Sequence, residues 1–486
     1  MLQRKNILML AGPLLGFLAS YALFAAGNDP VMCKAAGVLV LMAWWWITES
    51  VNIFITSLMP VLLFPMLGIM DVKAVAPEYM KDVIFLYIGG FVLTFAIERW
   101  DLHKRISLNI LLRFGNTPNR LLLGFSLSAY LISMWLNNTS TTLMMLPITL
   151  AVVDQLHGGD AKKRSGLSVA LLLAITFASS IGGTATLIGT LPNMVMKDFY
   201  DKNFPDATPL SFTRWFLMAL PMSLCMLAAL YFILRFLFLR NSDHIRPDLS
   251  MCRTNLQELG RMGFEEKVIG WVFGFAVLLW FTIDDKTIGN LHIPGWKNLF
   301  PDPTFVNESY VAVVIACILL FFPSKNKRGE NIVTWEEVKK IPIGIIFLFG
   351  GGFALAKGVV VSGLDKWIAG NMTALKDLPS WILIFILCLS TTLFSEFASN
   401  TATVNVFMVI MVPVVQILQL PPMLILFPIT MAASYSFMLP VGTPPNTIVF
   451  GTEKVTARQM MRAGFWLDVA GAIIITGYMV LIGGGR

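Results

Sequence analysis

Long apolar stretches alternate with short polar connections along almost the whole chain. Mainly apolar runs cover 7–26, 34–48, 51–68, 83–98, 166–196, 213–238, 268–283, 309–323, 342–361, 422–451 and 461–483. A bilayer crossing needs about 20 such residues in helical form, and a helix satisfies its own backbone polar groups in lipid. The pattern predicts about eleven membrane-spanning helices. Two further apolar stretches, 119–154 and 379–418, are too long for one crossing and carry polar clusters at their middles. Each predicts a helical hairpin that enters the membrane and returns to the same side.

Composition agrees with this pattern. Of 486 residues, 56% are apolar and only 13% charged, whereas a soluble domain carries about 25% charged residues. Disorder, a secreted disulfide scaffold and nucleic-acid binding are excluded, the last because the net charge of +7 sits in short segments between apolar runs. Treating the hairpins as non-crossing puts the N-terminus and six connections on one face, which collects 24 of the 36 Lys and Arg residues. That face is expected to be cytoplasmic. The basic start, Arg4-Lys5, is followed by an apolar run longer than a signal peptide's core, so a retained first span is expected. The five cysteines form no C-x-x-C pair. The four histidines all fall in connections, and no Ser-Lys or metal constellation lies inside a span. Together these argue against an intramembrane enzyme.

The chain contains an internal duplication. Residues 84–107 and 346–369 match at 10 of 24 positions at an offset of 262. The same offset places L-N-N-T (136–139) on A-S-N-T (398–401). Farther along, I-G-T-L-P-N (188–193) falls on V-G-T-P-P-N (441–446) at an offset of 253. The difference is assigned to the loop around His157. The charge-based topology puts the two hairpins on opposite faces, so the repeats are inverted, as in many secondary transporters.

Each repeat therefore pairs an Asn-Thr at a hairpin tip with a Gly-Thr-x-Pro-Asn inside an apolar run. Breaks in the helix are expected at Gly189–Pro192 and Gly442–Pro445, freeing backbone groups that survive at membrane depth only where protein or a cavity satisfies them. Carbonyls and Asn oxygens suit a hard cation. Helix N-termini, amides and Thr hydroxyls suit a carboxylate or oxyanion. No Arg or Lys lies in any of the four clusters. A dianion there is undercompensated unless cations bind beside it, which would couple the two fluxes. Glu396 reads as a helix support or as a cation-site or gating carboxylate, Lys357 as facing substrate or else as snorkelling or paired, and Trp44-Trp45-Trp46 as an interfacial anchor. Segments 101–112 and 362–373 read as interfacial amphipathic helices.

W-W-I-T-E (45–49), S-M-W-L-N-N-T (133–139), S-I-G-G-T-A-T-L-I-G-T-L-P-N (180–193), E-F-A-S-N-T-A-T (396–403) and M-L-P-V-G-T-P-P-N-T-I-V-F (438–450) resemble the divalent anion/sodium symporter family of di- and tricarboxylate and sulfate transporters. The resemblance implies an all-α polytopic fold with scaffold and elevator-like transport domains, a homodimer, and Na+ as coupling ion. It places one sodium ion at Ser133, Asn137, Asn138 and Gly189, and a second at Ser395, Ala398, Asn400 and Gly442. Substrate carboxylates would meet Asn138, Thr139, Thr190, Asn400, Thr401 and Thr443. Asn137 stands where the family has Ser, and Leu191 where it has Pro.

The expected organisation is N-terminal scaffold helices in 1–82 and a first repeat in 83–212, with hairpin 119–154 and broken helix 166–196. Connecting scaffold helices follow in 213–341, then a second repeat in 342–486 with hairpin 379–418 and broken helix 422–451. The expected function is sodium-coupled transport of a C4-dicarboxylate such as succinate, malate or fumarate, in a cell (inner) membrane with the N-terminus cytoplasmic. An anion exchanger, or a citrate, tartrate or sulfate carrier of the same family, is the alternative.

Overall fold

A computed structural model describes residues 2–115, 117–156, 165–240, 249–288 and 291–482; the loop at His157 that was assigned the change of offset lies outside them. The described residues are mainly helical, and their one sheet is a short antiparallel pair, Lys286–Ile288 with Leu291–Ile293. Eight helical segments are long and apolar enough to cross a membrane. Other expected crossings are shorter or interrupted: Glu308–Phe321 has 14 residues, and the run from 53 to 67 is two helices, Ile53–Thr56 and Met59–Leu67.

Local chemistry explains where the N-terminal helices start and meet. Asp29 caps Pro30–Thr48 by accepting from the amides of Val31 and Met32, with Pro30 in the first turn where its missing N–H costs nothing. Leu2–Ala25 lies against it at Gly16 and Gly37. A Cβ on Gly37 would sit 2.8 Å from the Gly16 carbonyl, and one on Gly16 would meet the Gly37 carbonyl in turn. Small residues permit that backbone approach where no hydrophobic force separates helices from lipid. The tryptophan run takes part in this packing and is not a simple interfacial belt. The indoles of Trp44 and Trp45 donate to the carbonyls of Leu8 and Met9. Trp46 is fully buried and donates to Ser57 Oγ at 3.2 Å.

Both hairpins are present. The first is Pro118–Ser133 and Asn138–Leu156, the second Ser380–Ser395 and Asn400–Ile417, each with a four-residue tip. Both broken helices are present too, as Gly166–Thr184 followed by Leu191–Asn203, and Pro422–Ser434 followed by Pro444–Phe450. The unwound segments are 185–190 and 435–443, upstream of the expected Gly-to-Pro breaks. Pro192, Pro444 and Pro445 sit instead in the first turn of the resumed helix, where proline's fixed φ favours helix and its absent N–H would be unbonded anyway.

Contacts between these elements are reciprocal. Gly166–Thr184 packs on both arms of the first hairpin, whereas Leu191–Asn203 packs on Asn400–Ile417 and Pro422–Ser434. Conversely, Pro422–Ser434 packs on the second hairpin, and Pro444–Phe450 packs on Asn138–Leu156 and Gly166–Thr184. Each broken helix thus runs from its own hairpin to that of the other repeat. The two hairpins approach the middle from opposite ends.

Two amphipathic helices, Leu102–Phe114 and Leu364–Asn371, follow the Gly-rich spans Asp82–Arg99 and Ile343–Val361. Just before the first, Arg99 is paired with Glu330 and, at 2.7 Å, with Glu337; within it, Arg105 meets Glu266 at 2.9 Å. Of the readings open to Lys357, the structure shows the structural pair. Its ammonium lies 2.8 Å from Glu78 and 3.0 Å from the Ala74 carbonyl.

Candidate functional site

A cavity of about 730 Å³ lies where both hairpin tips and both unwound segments meet. Asn137, Asn138 and Thr139 line it from the first tip, and Asn400 and Thr401 from the second. Thr190, Gly442 and Thr443 reach it from the broken helices. Ser133, Gly189, Ser395 and Ala398, also assigned to cation binding, are not in its wall but sit just behind it, Ser133 and Ser395 buried against the Asn side chains.

Four helices begin at this cavity: Asn138–Leu156, Leu191–Asn203, Asn400–Ile417 and Pro444–Phe450. A helix N-terminus carries unpaired amides and roughly half a positive charge. Thr190 and Thr443 are the residues before the resumed helices. Thr443 accepts from the Asn446 amide at 3.3 Å, whereas the Thr190 hydroxyl makes no capping bond. Leu191 occupies the position of Pro444 and so retains an N–H that proline lacks, adding a donor on the first repeat's side. Among the described residues lining the cavity, Glu49 alone is charged. It stands in the left-handed region at φ 46°, and desolvation raises its carboxyl above the ordinary range. Among the described residues no cationic side chain lines the site.

Behind the helix ends the two repeats build matching oxygen clusters. In the first, Ser133 Oγ donates to Asn138 Oδ1 at 2.9 Å; in the second, Ser395 Oγ donates to Asn400 Oδ1 at 3.0 Å. Asn193 Nδ2 spans its break, donating to the carbonyls of Gly183 and Thr186 at 3.1 and 2.7 Å. Asn446 Nδ2 does the same to Ser436 and Leu439 at 3.4 and 3.0 Å. These residues correspond at the offset of 253. The Asn of each Pro-Asn dipeptide is thus a brace that stabilises the unwound backbone, with its amide satisfying carbonyls the broken ladder leaves free.

The first cluster is held open by glycine. A Cβ on Gly183 would overlap Asn138 Oδ1 and lie 3.1 Å from the Gly189 carbonyl, and one on Gly189 would lie 2.9 Å from the Ser133 carbonyl. The carbonyls of Ser133, Gly183 and Gly189 and the Asn138 amide oxygen therefore gather around two glycines that have no side chain to displace them. Such a set of neutral oxygens suits a hard monovalent cation. The second cluster is built differently. Ser436 replaces Gly183 and donates to Asn400 Oδ1 at 3.3 Å, and a Cβ on Gly442 would have the Glu396 carbonyl at 3.2 Å. Glu396 is fully buried, and its carboxylate accepts from the amides of Met438 and Leu439 at 2.8 and 2.7 Å. It locks the second tip to the second break; in the first repeat Thr186 Oγ1 does this by donating to the Met134 carbonyl.

The Asn137 side chain is engaged at both its oxygen and its nitrogen. Its Oδ1 accepts from the Ser140 amide at 2.8 Å and its Nδ2 donates to Ser140 Oγ at 3.0 Å, capping the second arm of its hairpin. Gly183, Ser436 and Thr186 were not singled out in the sequence. The signal was the same 253-residue offset, extended upstream of the Gly-Thr-x-Pro-Asn.

Comparisons with known proteins agree with this architecture. The sodium-dependent dicarboxylate transporter SdcS of Staphylococcus saprophyticus is 35% identical over 480 residues, covering 96% of this chain and 89% of that protein. SdcS of Staphylococcus aureus is 35% identical over 477 residues with the same coverage. The crystal structure of the Alcanivorax borkumensis YdaH transporter shares the fold, with a TM-score of 0.57 at 13% identity over 87% of this chain and 89% of that one. The family described as the sodium:sulfate symporter transmembrane region matches residues 24–483. The chain is a multi-pass membrane transporter, not an enzyme, and belongs to the divalent anion/sodium symporter family.

Proposed function

We propose that the protein is a sodium-coupled symporter of C4-dicarboxylates such as succinate, malate and fumarate. The observation that carries this reading is the cavity itself: four helix N-termini meet at it, Thr139, Thr190, Thr401 and Thr443 line it, and among the described residues no cationic side chain does. Two separated donor groups, one per repeat, match the two ends of a small dicarboxylate. Helix ends alone compensate a dianion incompletely in a low-dielectric setting. Sodium ions at Ser133, Asn138 and Gly189, and at Ser395, Ala398, Asn400 and Gly442, supply the remaining positive charge, with Asn137 holding the first tip in shape. Each ion makes anion binding more favourable, and by linkage the anion does the same for each ion. The dicarboxylate specificity of the SdcS relatives supports the same substrate class.

Transport follows by an elevator movement. The hairpins and broken helices form the moving body, and residues 1–82 and 213–341 contribute the frame of a homodimer in the cell membrane with a cytoplasmic N-terminus. Glu49 and Ile53, which border the cavity, lie at the cytoplasmic ends of frame helices in this orientation, and Pro342 and Ile345 at the cytoplasmic start of Ile343–Val361, so the site is open inward. At the other end, Lys202 and Lys197 of Leu191–Asn203 reach Glu78 at 2.8 Å and Glu308 at 3.3 Å. Those ion pairs join body to frame and must break when the body moves outward.

Proteoliposomes test the coupling. An inward sodium gradient is expected to drive succinate uptake, and replacing sodium by choline to reduce it to the level of empty vesicles. Uptake unchanged in choline, with counterflow intact, would identify an exchanger instead. Sulfate or citrate outcompeting succinate would refute the substrate class.

A further inference from the structure

We propose that a groove at one end of the hairpin-bearing bundle binds the phosphate headgroup of an anionic phospholipid. The groove, about 990 Å³, runs between Phe212–Phe238 and Ala457–Ile482, away from the anion cavity. Arg235, Arg240 and Arg462 line one end of it. Among the described residues none of the three has a carboxylate partner, whereas Arg99 and Arg105 each have at least one. The Arg240 guanidinium instead lies over the Phe236 ring, 4.4 Å from its centroid.

Below the arginines the wall is apolar and exposed: Phe232, Phe236, Trp466 and Ile473 are all more than half accessible. Ile473 lies eleven residues beyond Arg462, about 16 Å along the helix, close to the depth of one leaflet's hydrocarbon. A soluble anion would satisfy the arginines but leave this wall uncovered. A soluble protein partner could not follow it into the bilayer. A phospholipid does both, with a headgroup at the guanidiniums and an acyl chain along the aromatic wall. Basic pockets between membrane helices favour anionic headgroups for this reason, and guanidinium suits the bidentate recognition of phosphate. Asn119, in the first turn of Pro118–Ser133, lines the same groove, and its buried side-chain oxygen has no partner among the described residues.

Thermal unfolding of the purified full-length protein tests this, with phosphatidylglycerol or phosphatidylcholine of identical chains added in neutral detergent. Phosphatidylglycerol is expected to raise the midpoint by about 3 °C or more beyond phosphatidylcholine. Combined Arg235→Gln, Arg240→Gln and Arg462→Gln should abolish the preference, and the three Lys substitutions should retain most of it. The shift produced by sodium plus succinate should persist in both variants. Equal shifts from the two lipids in the unaltered protein would overturn the proposal. So would a preference that survives the Gln variant, an equal shift from inorganic phosphate, or a change in oligomeric state with no change in lipid response. If the Gln variant does not fold, quenching by brominated lipids decides: Trp466→Phe should remove the excess quenching by the anionic lipid, and an undiminished excess would overturn the site.

Discussion

Replacing Asn138 or Asn400 by Ala is expected to abolish sodium-driven uptake while the protein still reaches the membrane. Each Asn begins the second arm of its hairpin, so its backbone stays at a helix N-terminus whatever its side chain. What is lost is Oδ1, which accepts from Ser133 or Ser395 and faces the carbonyls freed by the adjacent break. Deleting one oxygen of a hydrogen-bonded ion site costs roughly 1.5–3 kcal/mol, or about 10- to 150-fold in cation affinity. Because the anion relies on that cation, the deficit recurs in substrate binding, and uptake should fall at least roughly 100-fold. Surface expression and a normal unfolding midpoint without sodium separate this outcome from misfolding. Near-normal uptake by both variants would show that neither Asn belongs to the site.

Gly183→Ala and Ser436→Ala should differ sharply, although the two positions are equivalent in the duplication. At Gly183 the added methyl would occupy the place of Asn138 Oδ1 and crowd the Gly189 carbonyl. Overpacking of this kind costs roughly 1–3 kcal/mol, and here it also evicts a cation ligand. Sodium-dependent thermal stabilisation and uptake should both disappear. Ser436→Ala removes a hydroxyl 3.3 Å from Asn400 Oδ1 and leaves Ser395 as its donor. A loss of about 1 kcal/mol corresponds to roughly a fivefold weaker sodium response. Sodium titrations of the unfolding midpoint read both effects on one scale. Equal losses would mean that the first cluster is not a tighter cradle than the second.

Much of this architecture was legible because inverted repeats force the same polar interruption into two apolar runs. The hairpins expected at 119–154 and 379–418 occur at 118–156 and 380–417. The four Asn-Thr and Gly-Thr clusters meet at one cavity. The register of the breaks was less legible. Proline was read as the point where the helix stops, yet in both repeats it starts the next helix, and the unwound turn is made by the small and polar residues before it. Lys357 shows a second kind of blindness. Its partner Glu78, which Lys81 and Lys202 also contact, lies far away in sequence, and no periodicity reveals a pair made by tertiary packing. Trp46 was misread for the same reason, because a tryptophan at a span end reads as interfacial until its neighbour Ser57 is known. Gly183 was visible in the sequence but indistinguishable from the many glycines that simply let membrane helices approach.

Two oppositely directed tips and two unwound turns are expected to enclose an anion beside cations. A cryo-electron microscopy map of the protein in saturating sodium and succinate tests this most directly. Density for the dicarboxylate is predicted between Thr139 and Thr401, flanked by ion density at Asn138 and at Asn400. Substrate density elsewhere, or an empty space between the tips under those conditions, would contradict it.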